Sequence, residues 1–209
     1  GPASQLVRQT TDPKEKEDLQ IINRNAQYLL SLVNQLIDLR KIDTQNLTLN
    51  YSQFNFSKFL NTTTTDFSSL MKERNISFEK IYRLKSDHIY SDKENLHKIL
   101  FNLLSNAIKH TPDKGKITLH ANQFIDKSNK LMQFISVTNS GSIIAPDEID
   151  KIFNRFYRIP EQNKYTNYGQ SSTGIGLHIV KELINLLGGT IKVKSSEKVG
   201  VSFRLYFPI

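Results

Sequence analysis

The stretch NLLSNAIKHTP, residues 102–112, combines an apolar face of helical period with an unusual polar edge. Asn102 and Asn106 are four residues apart and so share one side of the predicted helix, and Lys109 follows three residues later. The other side is apolar, with Leu96, Ile99, Leu100, Leu103, Leu104 and Ala107. Residues 92–110 are therefore predicted to form an amphipathic helix that packs on the core and presents two amides and an ammonium group at one edge.

Capping residues mark the ends of this helix. Asp92 is a typical N-cap residue, and Thr111 precedes Pro112, which disfavours the α region and predicts an end near His110. An amide oxygen is a neutral, hard ligand suited to Mg²⁺, which completes its shell with water and substrate phosphates. The alternative is a solvated polar face that happens to contain asparagine, and spacing alone does not decide between the two.

Two other segments contain residue types that suit a nucleotide site. In STGIGL, residues 172–177, two glycines open a helix predicted over 174–187, and free backbone N–H groups at a helix start attract anions. At the end of a predicted strand, Asn139 and Gly141 could hold the edge of a flat heterocycle. A plain loop-to-helix turn and a simple Asx turn are the competing interpretations of these short motifs.

The order of the predicted elements indicates the fold class. Strands are predicted over 47–51, 76–84, 116–125, 131–138, 190–196 and 201–207, and helices over 55–74, 92–110, 147–156 and 174–187. Residues 157–173 are mostly polar and aperiodic, which predicts a long functional loop. Adjacent hairpins mixed with helices favour an α+β two-layer sandwich with a mixed sheet over a doubly wound parallel sheet.

A separate helical pattern covers residues 12–43. Asp12 is a predicted N-cap residue, followed by Pro13 at the first helical position. Apolar residues then recur at alternating spacings of three and four, at Leu19, Ile22, Ala26, Leu29, Val33 and Leu36. This seam is typical of a coiled coil, so we expect a partner helix from an upstream segment or from a second copy of the chain.

Composition limits the classes of protein to consider. The 209 residues are 38% hydrophobic and 23% charged, which is typical of a globular protein, and no apolar run approaches the ~20 residues of a membrane span. The chain has no cysteine, which excludes disulfides and thiolate metal sites. Although the net charge is +8, the basic residues are scattered, so we predict no direct nucleic-acid binding. Residues 1–4 look like the scar that a protease leaves when an expression fusion is cleaved.

Taken together, the motifs resemble the ATP-binding catalytic domain of sensor histidine kinases. The resemblance rests on Asp92 with NLLSNAIKHTP, then IFNRFYR (152–158), TGIGLHIVKELINLLGGTIKVKS (173–195) and GVSFRLYFPI (200–209). That domain belongs to the GHKL group, with DNA gyrase, the heat-shock-ninety chaperones and MutL. The resemblance covers about residues 12–209 and implies an ATP-dependent protein-histidine kinase, with ATP and Mg²⁺ as cofactors.

The resemblance also implies roles for individual residues. Asn106 would be the Mg²⁺ ligand, Asn102 would assist at the phosphates, and Lys109 and His110 would contact the phosphates and ribose. Asn139 would read the adenine amino group. The rest of the implied nucleotide-binding set is Gly141 beside Asn139, Arg158 at the γ-phosphate, and Thr173, Gly174, Gly176 and Leu177 in the glycine motif. Phe153 and Phe156 would pack the lid.

Three positions depart from the family pattern. Asn139 stands where the family has Asp, and an amide is a weaker acceptor than a carboxylate by about 1 kcal/mol. Ile143 and Ser172 stand where the family has glycines. We therefore expect weaker or slower nucleotide binding, with the same ligand.

The phosphoryl acceptor of the family is a histidine in a His-Glu-x-x-Arg-Thr-Pro context, and none of the five histidines here has it. Residues 5–43 resemble the second helix of the dimerisation hairpin, ahead of a catalytic domain over 44–209. We therefore expect the acceptor upstream and no autophosphorylation by this fragment alone. The implied partners are ATP, a homodimer of the full-length kinase and a response-regulator receiver domain, and the implied location is the cytoplasmic portion of a membrane-anchored sensor.

Two other functions compete with the kinase. One is a non-catalytic nucleotide-sensing or docking module, in which the three substitutions have reduced turnover. The other is an ATPase of the chaperone or MutL type, which would need a glutamate base one turn before the metal-binding asparagine. Asn102 occupies that position, and an amide cannot accept a proton at neutral pH.

Overall fold

The computed structural model describes residues 12–44, 47–159 and 173–209. The chain separates into two units, one ending at Leu47 and the other beginning at Thr48. Most of the predicted loop over 157–173, including Ser172, lies outside the described residues. Among the helices that are described, none combines the length and apolar character that a membrane span requires.

Helix α1, Pro13–Asp43, belongs to the first unit and confirms the helix predicted there. Asp12 is its N-cap residue, and the carboxylate Oδ1 accepts from the backbone N–H of Lys14 at 2.8 Å. Five residues of the predicted seam are exposed, namely Ile22, Ala26, Leu29, Val33 and Leu36. Exposed apolar residues at coiled-coil spacing are consistent with a partner helix, which stays a prediction.

The second unit contains seven strands and four helices within its described residues. In chain order they are β1 (Tyr51–Asn55), α2 (Phe56–Thr65), α3 (Ser68–Glu73), β2 (Ser77–Arg83), β3 (His88–Asp92), α4 (Lys93–His110), β4 (Lys116–Ile125), β5 (Leu131–Asn139), α5 (Gly176–Leu186), β6 (Thr190–Ser196) and β7 (Gly200–Pro208). Two short 3₁₀ turns, Pro146–Glu148 and Lys151–Phe153, lie between β5 and α5.

Five strands form one mixed sheet in the order β2-β4-β5-β7-β6, in which β2 and β4 are parallel and the other pairs are antiparallel. Strands β1 and β3 form a separate antiparallel pair. Along β4, buried Ile117, Leu119 and Ala121 alternate with more exposed residues, as expected for a sheet with one covered face. Helix α4 packs on β5 and α5 packs on β6. This architecture confirms the predicted α+β two-layer class, and both predicted hairpins are present.

The helix predicted over 147–156 is wrong, since only the two 3₁₀ turns form there. Their bonds join residues three apart, as in Asn154 N–H to the carbonyl of Lys151 at 2.8 Å. Asn154 is then extended, and the backbone N–H of Phe156 bonds to the carbonyl of Gly174 at 2.9 Å. A tertiary hydrogen bond therefore replaces the helical bond that the local pattern favours.

The single helix predicted over 55–74 divides into α2 and α3 at Thr65. Asn55 caps it as predicted, because its Oδ1 accepts from the backbone N–H of Lys58 at 2.8 Å. Four consecutive threonines, 62–65, then donate their hydroxyls to carbonyls three or four residues earlier. Branched side chains that bond back to the helix weaken it, which accounts for the break.

The region around β1 and β3 also differs from the prediction. The strand predicted over 47–51 begins only at Tyr51, because the ladder with β3 starts at the Tyr51–Asp92 pair. Strand β3 itself was not predicted, and its five residues are too short to show a clear alternation. Strand pairing, which the sequence pattern does not display, sets both bounds.

Candidate functional site

The helix that carries the polar edge, α4, is fixed at both ends. The buried carboxylate of Asp92 accepts at Oδ1 from the backbone N–H of Asn95, at 2.9 Å. Its Oδ2 accepts from the side chain of Asn95 at 2.9 Å and from the backbone N–H of Asn50 at 2.7 Å. At the other end, Thr111 Oγ1 donates to the carbonyl of Ala107 at 2.5 Å. These bonds confirm the predicted N-cap and the predicted bounds of the helix.

Asn102 and Asn106 lie half-buried on one side of α4. Asn102 Nδ2 donates to the carbonyl of Lys98 at 2.9 Å, and the amide oxygen lies beside the start of α5. A Cβ atom on Gly176 would be 2.6 Å from Asn102 Oδ1, so a side chain there would displace the Asn102 amide. The absence of a side chain at Gly176 thus lets the glycine motif contact the polar edge of α4.

The turn that opens α5 also contacts the segment that precedes the long loop. Gly174 has φ +69°, which strains any residue with a Cβ atom. A Cβ on Gly174 would lie 2.6 Å from the carbonyl carbon of Phe156, whose N–H bonds to the Gly174 carbonyl. This geometry explains why α5 begins at Gly176 and not at residue 174 as predicted. Thr173 Oγ1 accepts from the N–H of Ile175 at 3.1 Å within the same turn.

His178 connects α5 to the segment before the loop. Its Nε2 accepts from Arg155 Nε at 2.9 Å, and its Nδ1 lies 3.1 Å from the carbonyl of Phe153. A neutral imidazole that accepts at Nε2 carries its proton on Nδ1, so the ring donates to Phe153. Phe153 is buried, whereas the ring of Phe156 is 64% exposed, so the packing expected of Phe156 is not seen in the described part of the chain.

Lys109, at the C-terminal end of α4, is close enough to Arg158 for the two positive charges to interact. Burial, and then the charge of Arg158, lower the pKa of Lys109 to about 8. Burial, and then the charge of Lys109, lower the pKa of His110 to about 4, so its imidazole is neutral near pH 7. A polyanion between two like charges that are partly withdrawn from water stabilises them, because it offsets both their mutual repulsion and their lost hydration.

Strand β5 contributes Asn139, which is 2% exposed, at its last position. Asn139 Nδ2 donates to Ser142 Oγ at 2.8 Å, so the donor side of the amide is used and the oxygen is the acceptor that a nucleobase amino group needs. The following turn packs on the end of α4, since a Cβ on Gly141 would lie 2.4 Å from Pro112 Cδ. The strand end is therefore held against the polar helix.

The donor set at this edge suits a metal that arrives with phosphates. Within the described residues no group of three or more His, Cys, Asp or Glu side chains could hold a metal ion. The oxygen donors on the polar edge of α4 are the amides of Asn102 and Asn106. One or two protein oxygens are enough for Mg²⁺ when substrate phosphates and water complete its shell, so the residues fit that ion.

The structure thus brings the predicted segments together around the C-terminal half of α4. Gly176 contacts Asn102 and Gly141 contacts Pro112, and the charge of Arg158 acts on Lys109. Leu177 and Thr173 lie next to the two glycines of the motif, and Leu177 is half-buried. Ile143 is exposed, and Ser172 lies outside the described residues.

Three residues that shape the site were not found from the sequence. Pro112 forms the surface on which Gly141 packs, Ser142 orients the Asn139 amide, and Arg74 bonds to the carbonyls at the end of α4. Pro112 and Arg74 act on residues far away in the sequence or through backbone atoms, and Ser142 acts within the turn that follows β5, so no helical or strand spacing indicates these roles.

Comparison with known proteins agrees with this geometry. The profile of the family described as "Histidine kinase-, DNA gyrase B-, and HSP90-like ATPase" matches residues 91–209. "Histidine kinase P4" from Formosa agariphila is 34% identical over 213 residues, which cover 100% of this chain and 15% of that protein. This chain therefore spans a small part of the length of that relative.

Solved structures show the same fold. The nucleotide-free catalytic domain of histidine kinase ThkA is 26% identical with a TM-score of 0.63, covering 76% of this chain and 95% of that one. ThkA in complex with the response regulator protein TrrA is 24% identical with a TM-score of 0.70, covering 95% of this chain and 53% of that one.

Proposed function

The chain belongs to the family of histidine kinase-, DNA gyrase B- and HSP90-like ATPases and contains the catalytic domain of the sensor histidine kinase type, and from this we propose that it binds ATP with Mg²⁺ and transfers the γ-phosphoryl group to a histidine of its parent protein. The observation that carries the proposal is the contact between Asn102 of α4 and Gly176 of α5. It joins an amide-bearing helix to a helix start, which together suit a metal-bound polyphosphate.

In this proposal the polar edge of α4 holds the phosphates. Asn106 provides the amide ligand to Mg²⁺, and Asn102 lies next to the α5 start, where free backbone N–H groups face the anion. Lys109 and Arg158 provide positive charge to the polyphosphate, with His110 beside Lys109. Thr173, Gly174 and Leu177 complete the turn at the start of α5. Bound Mg²⁺ would neutralise charge on the phosphate oxygens.

The base is held at the end of β5 in the same proposal. Asn139 accepts from the adenine amino group through the oxygen that its bond to Ser142 leaves as acceptor, and Gly141 lies beside it. The catalytic step is an in-line displacement at the γ-phosphorus: an imidazole nitrogen forms the N–P bond while the P–O bond to ADP breaks. The protein positions the reactants and stabilises charge, since it has little covalent chemistry to perform.

Nucleotide titration combined with phosphoryl transfer tests this proposal. The chain should bind ATP more tightly with Mg²⁺ than with EDTA. It should also label, from γ-³²P-ATP, a full-length parent protein that carries Asn106→Ala and so cannot phosphorylate itself. Failure to bind ATP would refute the site. Binding without transfer would instead support the nucleotide-sensing module, which the kinase names of the relatives do not favour.

The parent protein should act as a dimer. We infer that α1 is the second helix of a dimerisation hairpin, because its apolar seam is exposed at coiled-coil spacing. A receiver domain is the proposed phosphoryl acceptor downstream, by analogy with the complex of ThkA and the response regulator protein TrrA. From the dependence on ATP we infer a location in the cytoplasmic part of a membrane-anchored sensor. Sedimentation of the full-length protein checks the dimer, and cell fractionation checks the location. A soluble monomer would contradict both.

The lowered pKa of Lys109 predicts how ATP affinity depends on pH. Lys109 has a free-state pKa of about 8, and a bound polyphosphate raises that pKa, so affinity is full below pH 8 and falls as pH rises above it. We expect a loss of about tenfold between pH 7 and pH 9.5, comparable to one charged hydrogen bond. Isothermal titration calorimetry across this range measures it.

Lys109→Arg is the matched control, because arginine stays protonated throughout that range. Its affinity should be flat with pH. A wild-type affinity that does not change, or a fall of equal size in Lys109→Arg, would show that Lys109 is not the titrating group.

A further inference from the structure

Arg74 is a buried arginine, 5% exposed, that directly follows α3. It is far in sequence from every predicted site residue. All three guanidinium nitrogens make hydrogen bonds. Nη1 donates to the carbonyl of Ile108 at 2.6 Å, Nη2 to that of Thr111 at 2.7 Å, and Nε to Asp113 Oδ1 at 2.8 Å. Two of the three acceptors are therefore backbone carbonyls at the C-terminal end of α4.

Those carbonyls lie at the end of the helix, and the carbonyl of Ile108 otherwise accepts a long bond, 3.4 Å, from the N–H of Thr111. The last carbonyls of an α-helix have no intrahelical donor, and they carry the negative end of the helix dipole. A planar cation with donors along its edge satisfies two of them at once, which the single ammonium of a lysine cannot do in the same geometry. Arg74 thus acts as a cap for α4 that is supplied from another part of the fold.

The capped turn contains two residues of the nucleotide site. Ile108 and Thr111 are the residues on either side of Lys109 and His110, so Arg74 holds the backbone immediately before and after them. The backbone carbonyl of Arg74 also accepts from the N–H of Lys114 at 3.0 Å. The guanidinium and the main chain of one residue therefore fix the whole turn.

The same turn supports the strand end that carries Asn139. Pro112, between Thr111 and Asp113, is the surface on which Gly141 packs. Ser140 bonds back to this connection, since its Oγ accepts from the N–H of Lys116 at 2.9 Å. A displaced turn would therefore move both the cationic side of the site and the strand end.

We propose that Arg74 is a positioning residue for the nucleotide site: its guanidinium fixes the last turn of α4 so that Lys109 and His110 face the phosphates and Gly141 stays against Pro112. The proposal rests on the proposed ATP site. It assigns to Arg74 no contact with the nucleotide, because the bonds that it makes in the last turn are directed to the backbone and to Asp113.

Gln123 offers a matched control for a purely structural role. It is also buried, 2% exposed, and clamps a turn by accepting from the N–H groups of Lys85 and Ser86, both at 2.8 Å. It lies seven residues along β4 from Lys116, which at about 3.3 Å per residue places it roughly 23 Å from the site end of the strand. Gln123→Met should destabilise the fold without disturbing the site.

The experiment compares Arg74→Lys, Asp113→Ala and Gln123→Met with the wild-type chain, each at a temperature where it is fully folded by circular dichroism. We expect Mg²⁺-ATP affinity to fall about tenfold in Arg74→Lys and to change less than about twofold in Gln123→Met. Asp113→Ala removes the part-buried bond to Nε that orients the guanidinium, so the variant should fold and its Mg²⁺-ATP affinity should fall about threefold.

A second readout does not depend on ATP. The imidazole of His110 titrates with a pKa of about 4 when the turn is in place, and this can be followed by NMR. That pKa should rise in Arg74→Lys and in Asp113→Ala and stay unchanged in Gln123→Met.

The two readouts separate failure of this inference from failure of the proposed function. Wild-type affinity and an unchanged His110 titration in folded Arg74→Lys would overturn the positioning role. If that variant does not fold, the same pair of results in Asp113→Ala would overturn it. Equal losses of ATP affinity in Arg74→Lys and Gln123→Met would show that Arg74 only stabilises the fold. A wild-type chain that binds no ATP would refute the nucleotide site itself, while the His110 titration would still report the turn.

Discussion

Replacement of Asn106 by alanine is expected to lower the affinity for ATP in the presence of Mg²⁺ about 100-fold, or about 2.7 kcal/mol. Asn106 is half-buried on the polar edge of α4, and no cluster of acidic or histidine ligands exists in the described residues to replace its amide oxygen. Because this amide and the phosphates would both coordinate Mg²⁺, loss of the amide weakens the binding of the ion and of the nucleotide together.

The comparison of Mg²⁺ with EDTA makes this prediction specific. In EDTA, Asn106→Ala should bind ATP within about twofold of the wild-type chain, because the remaining contacts are made by Lys109, Arg158 and the α5 start. Asn185→Ala, an exposed asparagine near the end of α5, is the control and should match wild type in both conditions. Calorimetric titration gives all values. A wild-type Mg²⁺ dependence in Asn106→Ala would show that the ligand lies elsewhere.

Gly174→Ala is expected to lower ATP affinity at least about tenfold and to destabilise the fold by about 3 kcal/mol. Two costs combine. The φ of +69° costs about 1–2 kcal/mol once a Cβ is present. The new Cβ would also lie 2.6 to 2.9 Å from the carbonyl carbon, Cα and oxygen of Phe156, which are backbone atoms and cannot rotate away. The segment that leads to Arg158 should therefore shift out of the site.

Gly188→Ala separates the two costs. Gly188 has almost the same φ, +71°, but its nearest heavy atoms would be Pro208 Cγ at 3.6 Å and Cδ at 3.9 Å, which are ordinary contacts. Gly188→Ala should lose only about 1 kcal/mol of folding stability and keep its ATP affinity. Urea denaturation and ATP titration of both variants measure the difference. Equal losses in the two variants would show that the contact with Phe156 is unimportant.

Patterns within one element predicted much of the fold. The hairpin strands β4 and β5 lie on either side of the polar turn 126–130, and the structure places their bounds within one residue of the predicted ones. Helix α4 was bounded correctly because Asp92 and Pro112 act on their immediate neighbours. Where several local signals agree, tertiary contacts have little to change.

Predictions failed where a distant partner decides the conformation. Residues 147–156 have a helical pattern, yet the bond from Phe156 to Gly174 and the bond from His178 to Phe153 hold the segment in 3₁₀ and extended forms. Strand β3 exists because β1 pairs with it, and neither five-residue segment shows this pairing in its own residues. A single-sequence pattern contains no information about such partners.

Local spacing is enough to identify the side chains suited to a nucleotide site, because it places Asn102, Asn106 and Lys109 on one helix edge and two glycines at a helix start. That these parts meet is visible only in the folded chain. Gly176 lies against the Asn102 amide and Gly141 on Pro112, and the charge of Arg158 acts on Lys109. The folded chain also shows Arg74 as the cap of α4, which no spacing could indicate. Residue spacing carries information along one helix or strand, whereas close backbone approach and helix capping join residues that only folding brings together.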